Sequence, residues 1–203
     1  MNYIRIIGFD WGGVLNDFTR HTERMAQYLG IPIQEFEMAV SRNVRDFHLG
    51  LPEMEFWRNV CSDAVVDAPK APIWLETFKP TVIINEKLFE VVRDLRNYGY
   101  KTAMISNAEL PNKEFIDKRI KGTTYDVFDH YILSCEIGAV KPDREYWLHT
   151  CRLFDSTPNQ LLVVDDVMRN VQGAREFGSM AIHHRTNQQT IKELSDILGI
   201  SLV

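Results

Sequence analysis

Short apolar runs alternate with longer amphipathic segments over most of this chain. Several of the runs are continuously apolar, which is typical of strands buried on both faces of a parallel sheet. The predicted strands are Tyr3–Phe9, Lys101–Ser106, Tyr131–Ser134, Leu161–Val164 and Met180–His183. The predicted helices between and after them are Asn85–Tyr98, Pro111–Ile120, Asp143–Phe154, Asn170–Phe177 and Thr190–Leu198. Strands that alternate with helices predict an α/β fold with right-handed crossovers.

The segment from residue 17 to about residue 80 interrupts this alternation. It contains no convincing strand, and its pattern predicts three helices: Thr19–Leu29, Ile33–Phe47 and Pro52–Asp63. We therefore predict a Rossmann-like, doubly wound parallel sheet formed by residues 1–16 and 81–203, with an inserted helical cap of residues 17–80. An insertion at this point lies over the C-terminal edge of the sheet, where it can act as a lid.

The composition limits the classes of function. Hydrophobic residues make up 45% of the 203 residues and charged residues 25%, which is ordinary for a soluble globular protein. A net charge of -5 gives no reason to expect nucleic acid or an anionic membrane as a partner. No apolar run approaches a membrane span, and no signal peptide is evident. Three widely spaced cysteines fit no disulfide framework, so we expect a cytoplasmic protein with reduced thiols.

Polar side chains suited to one reaction follow the predicted strands. They are Asp10, Ser106 with Asn107, Lys141, and Asp165 with Asp166. Because the C-terminal ends of parallel strands share one edge of the sheet, we expect these side chains to converge. Carboxylates suit Mg²⁺, and a carboxylate can also accept a phosphoryl group as a nucleophile. The hydroxyl, the amide and the lysine can hold other phosphate oxygens, and the Gly12-Gly13 backbone can approach a ligand closely.

In their order and rough spacing, these motifs resemble those of the haloacid dehalogenase-like hydrolase superfamily. The resemblance covers nearly the whole chain and is carried by residues 9–15, Ser106-Asn107, Lys141-Pro142 and Asp165-Asp166. The run from Cys135 to Pro142 is similar to capped members, such as bacterial sugar-phosphate phosphatases and the N-terminal phosphatase domain of soluble epoxide hydrolases. The resemblance implies a Mg²⁺-dependent phosphatase that acts on small phosphorylated metabolites.

The resemblance also implies a role for each matching residue. Asp10 would be the nucleophile, and Lys141 would neutralise the nucleophile and the phosphate. The expected phosphate-binding residues are Ser106, Asn107, Lys141 and Gly13. The expected metal ligands are Asp10, Gly12, Asp166 and Asp165, and Asn170 lies where many members have another acid.

Gly12 departs from the family pattern, because most of its phosphatases have an aspartate there that protonates the leaving group and activates water. Such acid–base help is worth about 10²–10⁴-fold in rate. Its loss predicts a substrate with a good leaving group, an acid from elsewhere such as Asp17 or His21, or slow turnover. The alternative is a weak or inactive member that serves as a binding or regulatory protein.

Particular residues disfavour two other reactions of the family. Haloacid dehalogenases need no metal and do not keep the carboxylates found here at positions 165 and 166. Phosphonoacetaldehyde hydrolases read Asp-Trp-Ala-Gly, close to residues 10–13, but they need a cap lysine for a Schiff base. The first lysine of this chain is Lys70, so the predicted cap helices have none.

In the cap, Arg42, Arg45 and His48 are spaced so that they lie near one face of a helix, where they could meet a second anionic group. A solvated helix face is the simpler explanation.

Overall fold

The computed structural model describes residues 4–202 and contains a five-stranded parallel sheet. In chain order the strands are β1 (Ile6–Asp10), β2 (Asn16–Asp17), β3 (Ile83–Ile84), β4 (Lys101–Ser106), β5 (His130–Leu133), β6 (Leu161–Asp165) and β7 (Met180–His183). The parallel sheet has the order β5-β4-β1-β6-β7, so β1 lies at its centre. The predicted doubly wound parallel sheet with a helical insertion is confirmed.

Helices cover both faces of this sheet and fill the insertion. In chain order they are α1 (Thr19–Leu29), α2 (Ile33–His48), α3 (Glu53–Asp63), α4 (Trp74–Phe78), α5 (Glu86–Asn97), α6 (Leu110–Arg119), α7 (Ser134–Ile137), α8 (Arg144–Leu153), α9 (Met168–Phe177) and α10 (Asn187–Leu198). Alternate residues of β1 separate the two faces, because Ile7 and Phe9 join one apolar cluster and Ile6 joins the other. The first cluster includes side chains of α5, α6 and α10, and the second includes those of α8 and α9.

A pair of short strands brackets the insertion. β2 and β3 pair antiparallel, with Asn16 opposite Ile84 and Asp17 opposite Ile83, and α1–α4 lie between them in the chain. The three predicted cap helices are found, and α2 runs one residue further, to His48. The predicted domain bounds stay a prediction.

The insertion and its flanks also contain elements that the sequence pattern does not predict. α4 has only five residues and β2 and β3 have two each, which is too short for a periodic signal. The expectation of an insertion without strands is therefore wrong at Asp17, which belongs to β2.

Most predicted elements of the sheet layer lie within one or two residues of the observed ones. Larger differences occur at β1, which begins only at Ile6, and at α10, which begins at Asn187 because Thr186 caps it by accepting a hydrogen bond from the Gln189 amide. Ser134 starts α7 instead of ending a strand. Tyr3, the first residue of a predicted strand, lies outside the described residues.

Within residues 4–202 no helix has the length and apolar character that a membrane span needs. All three cysteines are free thiols.

His21 on α1 is buried where the cap meets aromatic side chains. It is 1% exposed, and its ring makes edge contacts with Trp74 and Phe78, with centroid distances of 4.8 and 5.1 Å. The Thr77 hydroxyl donates its proton to the Ile73 carbonyl, so towards His21 it can only accept. His21 Nε2–H therefore donates to Thr77 Oγ1 at 3.0 Å. Burial lowers the pKa of His21 to about 4, although the negative charge of Glu109 opposes the shift. The packed form of the cap therefore contains a neutral imidazole.

The neutral state of His21 predicts a loss of stability in mild acid. The folded-state pKa lies below the unfolded value, so the stabilisation is complete above about pH 6.5 and decreases as the pH falls towards 4. We expect this residue alone to lower the unfolding free energy by about 2 kcal/mol between pH 7 and pH 5. Urea denaturation of the wild type and of His21→Gln at both pH values measures it. Equal pH dependence in the two proteins would contradict the prediction, since all other groups titrate alike in both.

Candidate active site

The ammonium group of Lys141 joins three neighbouring strands at the C-terminal edge of the sheet. Lys141 Nζ lies 2.9 Å from Asp10 Oδ2 at the end of β1 and 2.7 Å from Asp165 Oδ2 at the end of β6. It also donates to the Ile105 carbonyl of β4 at 3.2 Å. The lysine side chain is fully buried. Three of the residues predicted from strand ends are therefore brought together by one charged group.

Asn107 fixes the backbone of Lys141. Its Nδ2 donates to the Lys141 carbonyl at 2.9 Å, and its Oδ1 accepts from the Lys141 amide at 2.7 Å. Both polar atoms of the carboxamide that we expected to bind phosphate are thus paired with the protein in this structure. The geometry makes Asn107 a positioning residue for Lys141, and phosphate binding by this side chain stays a prediction.

Asp165 and Asp166 are adjacent in the chain but differ in their surroundings. Asp165 is fully buried and accepts hydrogen bonds from the Val167 amide, from Asn170 Nδ2 and from Lys141. Asp166 Oδ1 is buried but has no hydrogen-bond partner. A buried oxygen without a partner is costly unless a cation or a water meets it. Of the two carboxylates, Asp166 therefore has the greater free capacity for a metal ion.

Gly13 leaves room for the Asp166 carboxylate. Gly13 has a φ of +73°, and a Cβ at this position would lie 2.2 Å from Asp166 Oδ2. Both the backbone conformation and the close approach therefore exclude a side chain. The Gly13 amide donates to the Asn16 carbonyl at 2.9 Å, so the predicted contact of Gly13 with phosphate stays a prediction.

Burial and charge act in opposite directions on the ionisable groups of the site. Burial raises the pKa of Asp10 well above its ordinary value, while Lys141 acts against this shift. Burial also raises the pKa of Asp166, and the neighbouring charge of Asp165 adds to the effect. Burial alone would lower the pKa of Lys141, but the two adjacent carboxylates outweigh it and the pKa is raised. Lys141 is therefore positively charged at neutral pH, and more positive charge at the site would favour ionised Asp10 and Asp166.

The carboxylate cluster fits a magnesium ion. Asp10, Asp165 and Asp166 offer oxygen atoms that lie within 4.8 Å of one another. When all three are ionised, Lys141 offsets only one of their negative charges. An excess of negative charge, an oxygen-only donor set and the unpartnered Asp166 Oδ1 are what a hard divalent cation requires. The predicted ligands other than Gly12 therefore lie together, and the Gly12 carbonyl stays a predicted ligand.

The space beside Gly12 is filled by an aromatic ring. A Cβ at Gly12 would lie 2.7 Å from Phe18 Cε1, so the ring stands where a carboxylate side chain would begin.

The two alternative acids, Asp17 and His21, are both engaged elsewhere. Hydrogen bonds from Thr19 lower the pKa of Asp17, and burial lowers that of His21. Neither group has a pKa near neutrality, as an efficient general acid requires.

A cavity of about 390 Å³ extends from this edge of the sheet into the cap. Asp10, Ser106 and Asp166 contribute to its wall from the sheet side, and the Ser106 hydroxyl has no protein partner among the described residues. Among those residues no lysine lines the cavity, which agrees with the argument against a Schiff-base reaction. A phosphate group at this end would meet Asp10 and a free hydroxyl. Lys141 is fully buried behind Asp10 and does not line the cavity, so its contact with phosphate stays a prediction.

A histidine–carboxylate pair in the cavity wall was not predicted as a unit. His48 Nε2 at the end of α2 lies 3.0 Å from Glu109 Oε1, and the Glu109 carboxylate also accepts from Asn112 Nδ2. The pair links cap to core, and only the position of Glu109 shortly after Ser106 could have suggested it. The other two members of the predicted cap trio do not line the cavity: Arg42 is exposed, and Arg45 pairs with half-buried Asp143.

The strand order, the inserted helices and the carboxylate-lined edge are those of hydrolases that combine a Rossmann-like sheet with a cap. The model of the haloacid dehalogenase-like hydrolase family matches residues 4–178, and the chain belongs to that family. The resemblance inferred from the motifs is thereby confirmed.

Three similar proteins illustrate the family. The chain is 27% identical over 113 residues to the sesquiterpene phosphatase astK of Aspergillus oryzae, a match that covers 56% of this chain and 57% of astK. It is 25% identical over 118 residues to the bifunctional epoxide hydrolase 2 of Rattus norvegicus, covering 57% of this chain and 21% of that protein. It thus spans less than two thirds of the length of these curated relatives. A family enzyme of Bacteroides thetaiotaomicron, solved with magnesium and inorganic phosphate, shares the fold with a TM-score of 0.71 and 20% identity over 90% of this chain and 94% of its own.

The buried position of Lys141 predicts a large effect on stability when its charge is removed. Lys141→Met leaves the Asp10 and Asp165 carboxylates close together without a counter-charge, so we expect the unfolding free energy to fall by about 3–5 kcal/mol. Urea denaturation at neutral pH in the presence of EDTA measures the loss. The matched control is Lys113→Met, which removes a partly exposed lysine from Asp117 and Glu136 and should cost less than about 1 kcal/mol. Similar losses in both variants would contradict the assignment.

Proposed function

We infer that this hydrolase is a Mg²⁺-dependent phosphatase that acts on small phosphorylated molecules through an aspartyl-phosphate. The observation that carries the proposal is the position of Asp10. It lines the cavity together with Ser106 and Asp166, and its Oδ2 lies 2.9 Å from the buried Lys141 Nζ. Two comparisons support it, since astK is named a sesquiterpene phosphatase and the Bacteroides enzyme was solved with magnesium and phosphate.

The first half-reaction needs a nucleophile and positive charge at the phosphoryl oxygens. An Asp10 carboxylate oxygen forms the new bond to phosphorus, in line with the bond to the alcohol oxygen that breaks. The Lys141 ammonium and the Ser106 hydroxyl hold the phosphoryl oxygens, while Asn107 keeps the Lys141 backbone in place. Asp10 and Asp166, with Asp165 and the Gly12 carbonyl as further predicted ligands, would hold Mg²⁺, which would supply additional positive charge.

The second half-reaction returns the enzyme to its starting state. Water attacks the phosphorus of the aspartyl-phosphate, its proton passes to solvent, and phosphate leaves as the Asp10 carboxylate is regenerated. Because Gly12 offers no carboxylate, no neighbouring acid protonates the departing alcohol in the first step. The departing alkoxide takes its proton from water instead, so we expect alkyl esters to turn over slowly and esters with an acidic leaving group to turn over faster.

A metal-dependent phosphatase assay tests the proposal. We expect hydrolysis of p-nitrophenyl phosphate that requires Mg²⁺ and stops with EDTA. Asp10→Asn should reduce turnover by about 10³-fold or more, because the nucleophile is lost. The control Asp126→Asn changes a carboxylate that bonds Tyr131 in a distant loop and should leave turnover unchanged. Intact-mass detection of a BeF₃⁻ adduct that requires Asp10 gives a second readout, and full activity of Asp10→Asn would refute the nucleophile.

Gly12 and Phe18 together predict a gain of function. The double variant Gly12→Asp/Phe18→Ala supplies the missing acid and removes the ring that fills its space. Relative to Phe18→Ala alone, we expect hydrolysis of an alkyl phosphate to rise by up to about 10²-fold, since the alkoxide needs a proton. Hydrolysis of p-nitrophenyl phosphate should change much less, because nitrophenolate leaves unprotonated. An equal change with both substrates would contradict this explanation of Gly12.

Gly12 also supports a second candidate function. With Gly12 in place of the acid, the fold would serve as a phosphate-binding or regulatory protein that turns over slowly or not at all. Folded protein that binds Mg²⁺ and phosphate but hydrolyses neither p-nitrophenyl phosphate nor any sugar phosphate would favour this alternative.

A further inference from the structure

The cap side of the cavity is built from apolar side chains. Phe36, Val40, Val44 and His48 follow one another at four-residue spacing, so they form one face of α2, and all four line the cavity. The remaining wall adds further apolar groups from the cap and from the start of the core: Trp11, Phe18, Met25, Trp74 and Phe78. A ligand whose phosphate meets Asp10 would extend its other end along this face.

Several polar groups of the wall are already bonded within the protein. His21 donates to Thr77, and His48 and Asn112 both bond the Glu109 carboxylate. These groups would have to break buried hydrogen bonds before they could bind hydroxyls of a substrate.

The partners left for a sugar are limited. Among the described residues, the buried wall groups without a partner, apart from Asp166, are the indole N–H groups of Trp11 and Trp74 and the Oδ1 atoms of Asn16, Asn112 and Asn170. A hexose phosphate carries several hydroxyls, each of which needs partners when it leaves water. The wall can replace only part of that hydration, so a polyol would bind with unsatisfied groups.

The rim of the cavity is also partly apolar. Phe18 and Val167 both line it and are each 39% exposed, and the charged lining residues Glu37 and Arg169 are exposed as well. The apolar surface thus continues from the interior to the mouth, and a chain longer than the interior holds would still meet hydrocarbon there.

We propose that the substrate is the phosphate monoester of an apolar alcohol, with the phosphate at Asp10 and the hydrocarbon against the α2 face. The proposal rests on the inferred phosphatase activity and names the substrate class of that same site. It differs from the expectation of sugar phosphates, because the chemistry of the wall favours hydrophobic burial over recognition of hydroxyls. The indole N–H groups are donors for any oxygen that the alcohol carries within its chain.

A homologous series of alkyl phosphates tests the proposal. Butyl, hexyl, octyl and decyl phosphate have leaving groups of equal acidity, so their kcat/KM values differ only through the hydrocarbon. We expect kcat/KM to rise by about fourfold per methylene until the chain fills the cavity. Glucose 6-phosphate should be hydrolysed less well than octyl phosphate. A flat series, or a preference for glucose 6-phosphate, would overturn the proposal.

A pair of substitutions on one helix tests whether the α2 face is responsible. Val44→Asp puts a charge into the wall, whereas Met38→Asp puts the same charge at a position of α2 that is 54% exposed and does not line the cavity. We expect Val44→Asp to flatten the chain-length dependence while Met38→Asp preserves it. Circular dichroism and urea denaturation report the folding of both variants. An unchanged slope in folded Val44→Asp would show that the hydrocarbon lies elsewhere.

Binding measurements separate failure of the substrate class from failure of the phosphatase proposal. If no phosphate ester is hydrolysed, the phosphatase activity is refuted, and calorimetry with the same series of alkylphosphonates in the presence of Mg²⁺ then decides the substrate class alone. Affinity that rises with chain length supports the apolar site, and affinity independent of chain length refutes it. If p-nitrophenyl phosphate is hydrolysed but the alkyl series is flat, only the substrate class is wrong.

Discussion

The buried ammonium of Lys141 is the interaction on which the rest of the site depends. It bonds Asp10 and Asp165 at the ends of β1 and β6 and the Ile105 carbonyl of β4, so one positive charge holds three adjacent strand ends. Without it, two buried carboxylates would lie beside each other at a large cost in free energy. Asn107 supports this arrangement because its side chain forms hydrogen bonds with both the amide and the carbonyl of Lys141. In the proposed reaction, the charge that stabilises the sheet edge also lies beside the Asp10 nucleophile.

Two glycines shape the space around Asp10 in different ways. Gly13 is required, because its left-handed conformation and its approach to Asp166 leave no room for a Cβ. Gly12 is not required in this way, because a Cβ at position 12 would meet the ring of Phe18 and no backbone atom. The first glycine preserves the carboxylate cluster, and the second removes the acid–base group that most phosphatases of the family have. The site thus retains the charge that phosphoryl transfer needs but lacks a proton donor for the leaving group.

The cap contributes through packing more than through charge. One face of α2 and the aromatic rings around His21 form a mostly apolar wall, and the His48–Glu109 pair joins this wall to the core. Several polar groups of the cap are bonded within the protein, and the α2 face presents hydrocarbon surface towards the cavity. Selectivity in such a cavity comes from the area that a ligand buries and from the cost of any polar group that it cannot pair.

The amino-acid sequence by itself determined the sheet, the insertion and the identity of the carboxylate, lysine and hydroxyl groups at the strand ends. These follow from local periodicity and from the rule that parallel strands share a C-terminal edge. Short elements such as α4 and the pairing of β2 with β3 escaped it, because they carry no periodic signal. Only the tertiary structure decided that Asn107 holds Lys141, that Phe18 fills the space at Gly12 and that His48 meets Glu109. Each of these contacts joins residues whose side-chain directions depend on packing between separate elements, which sequence spacing does not specify.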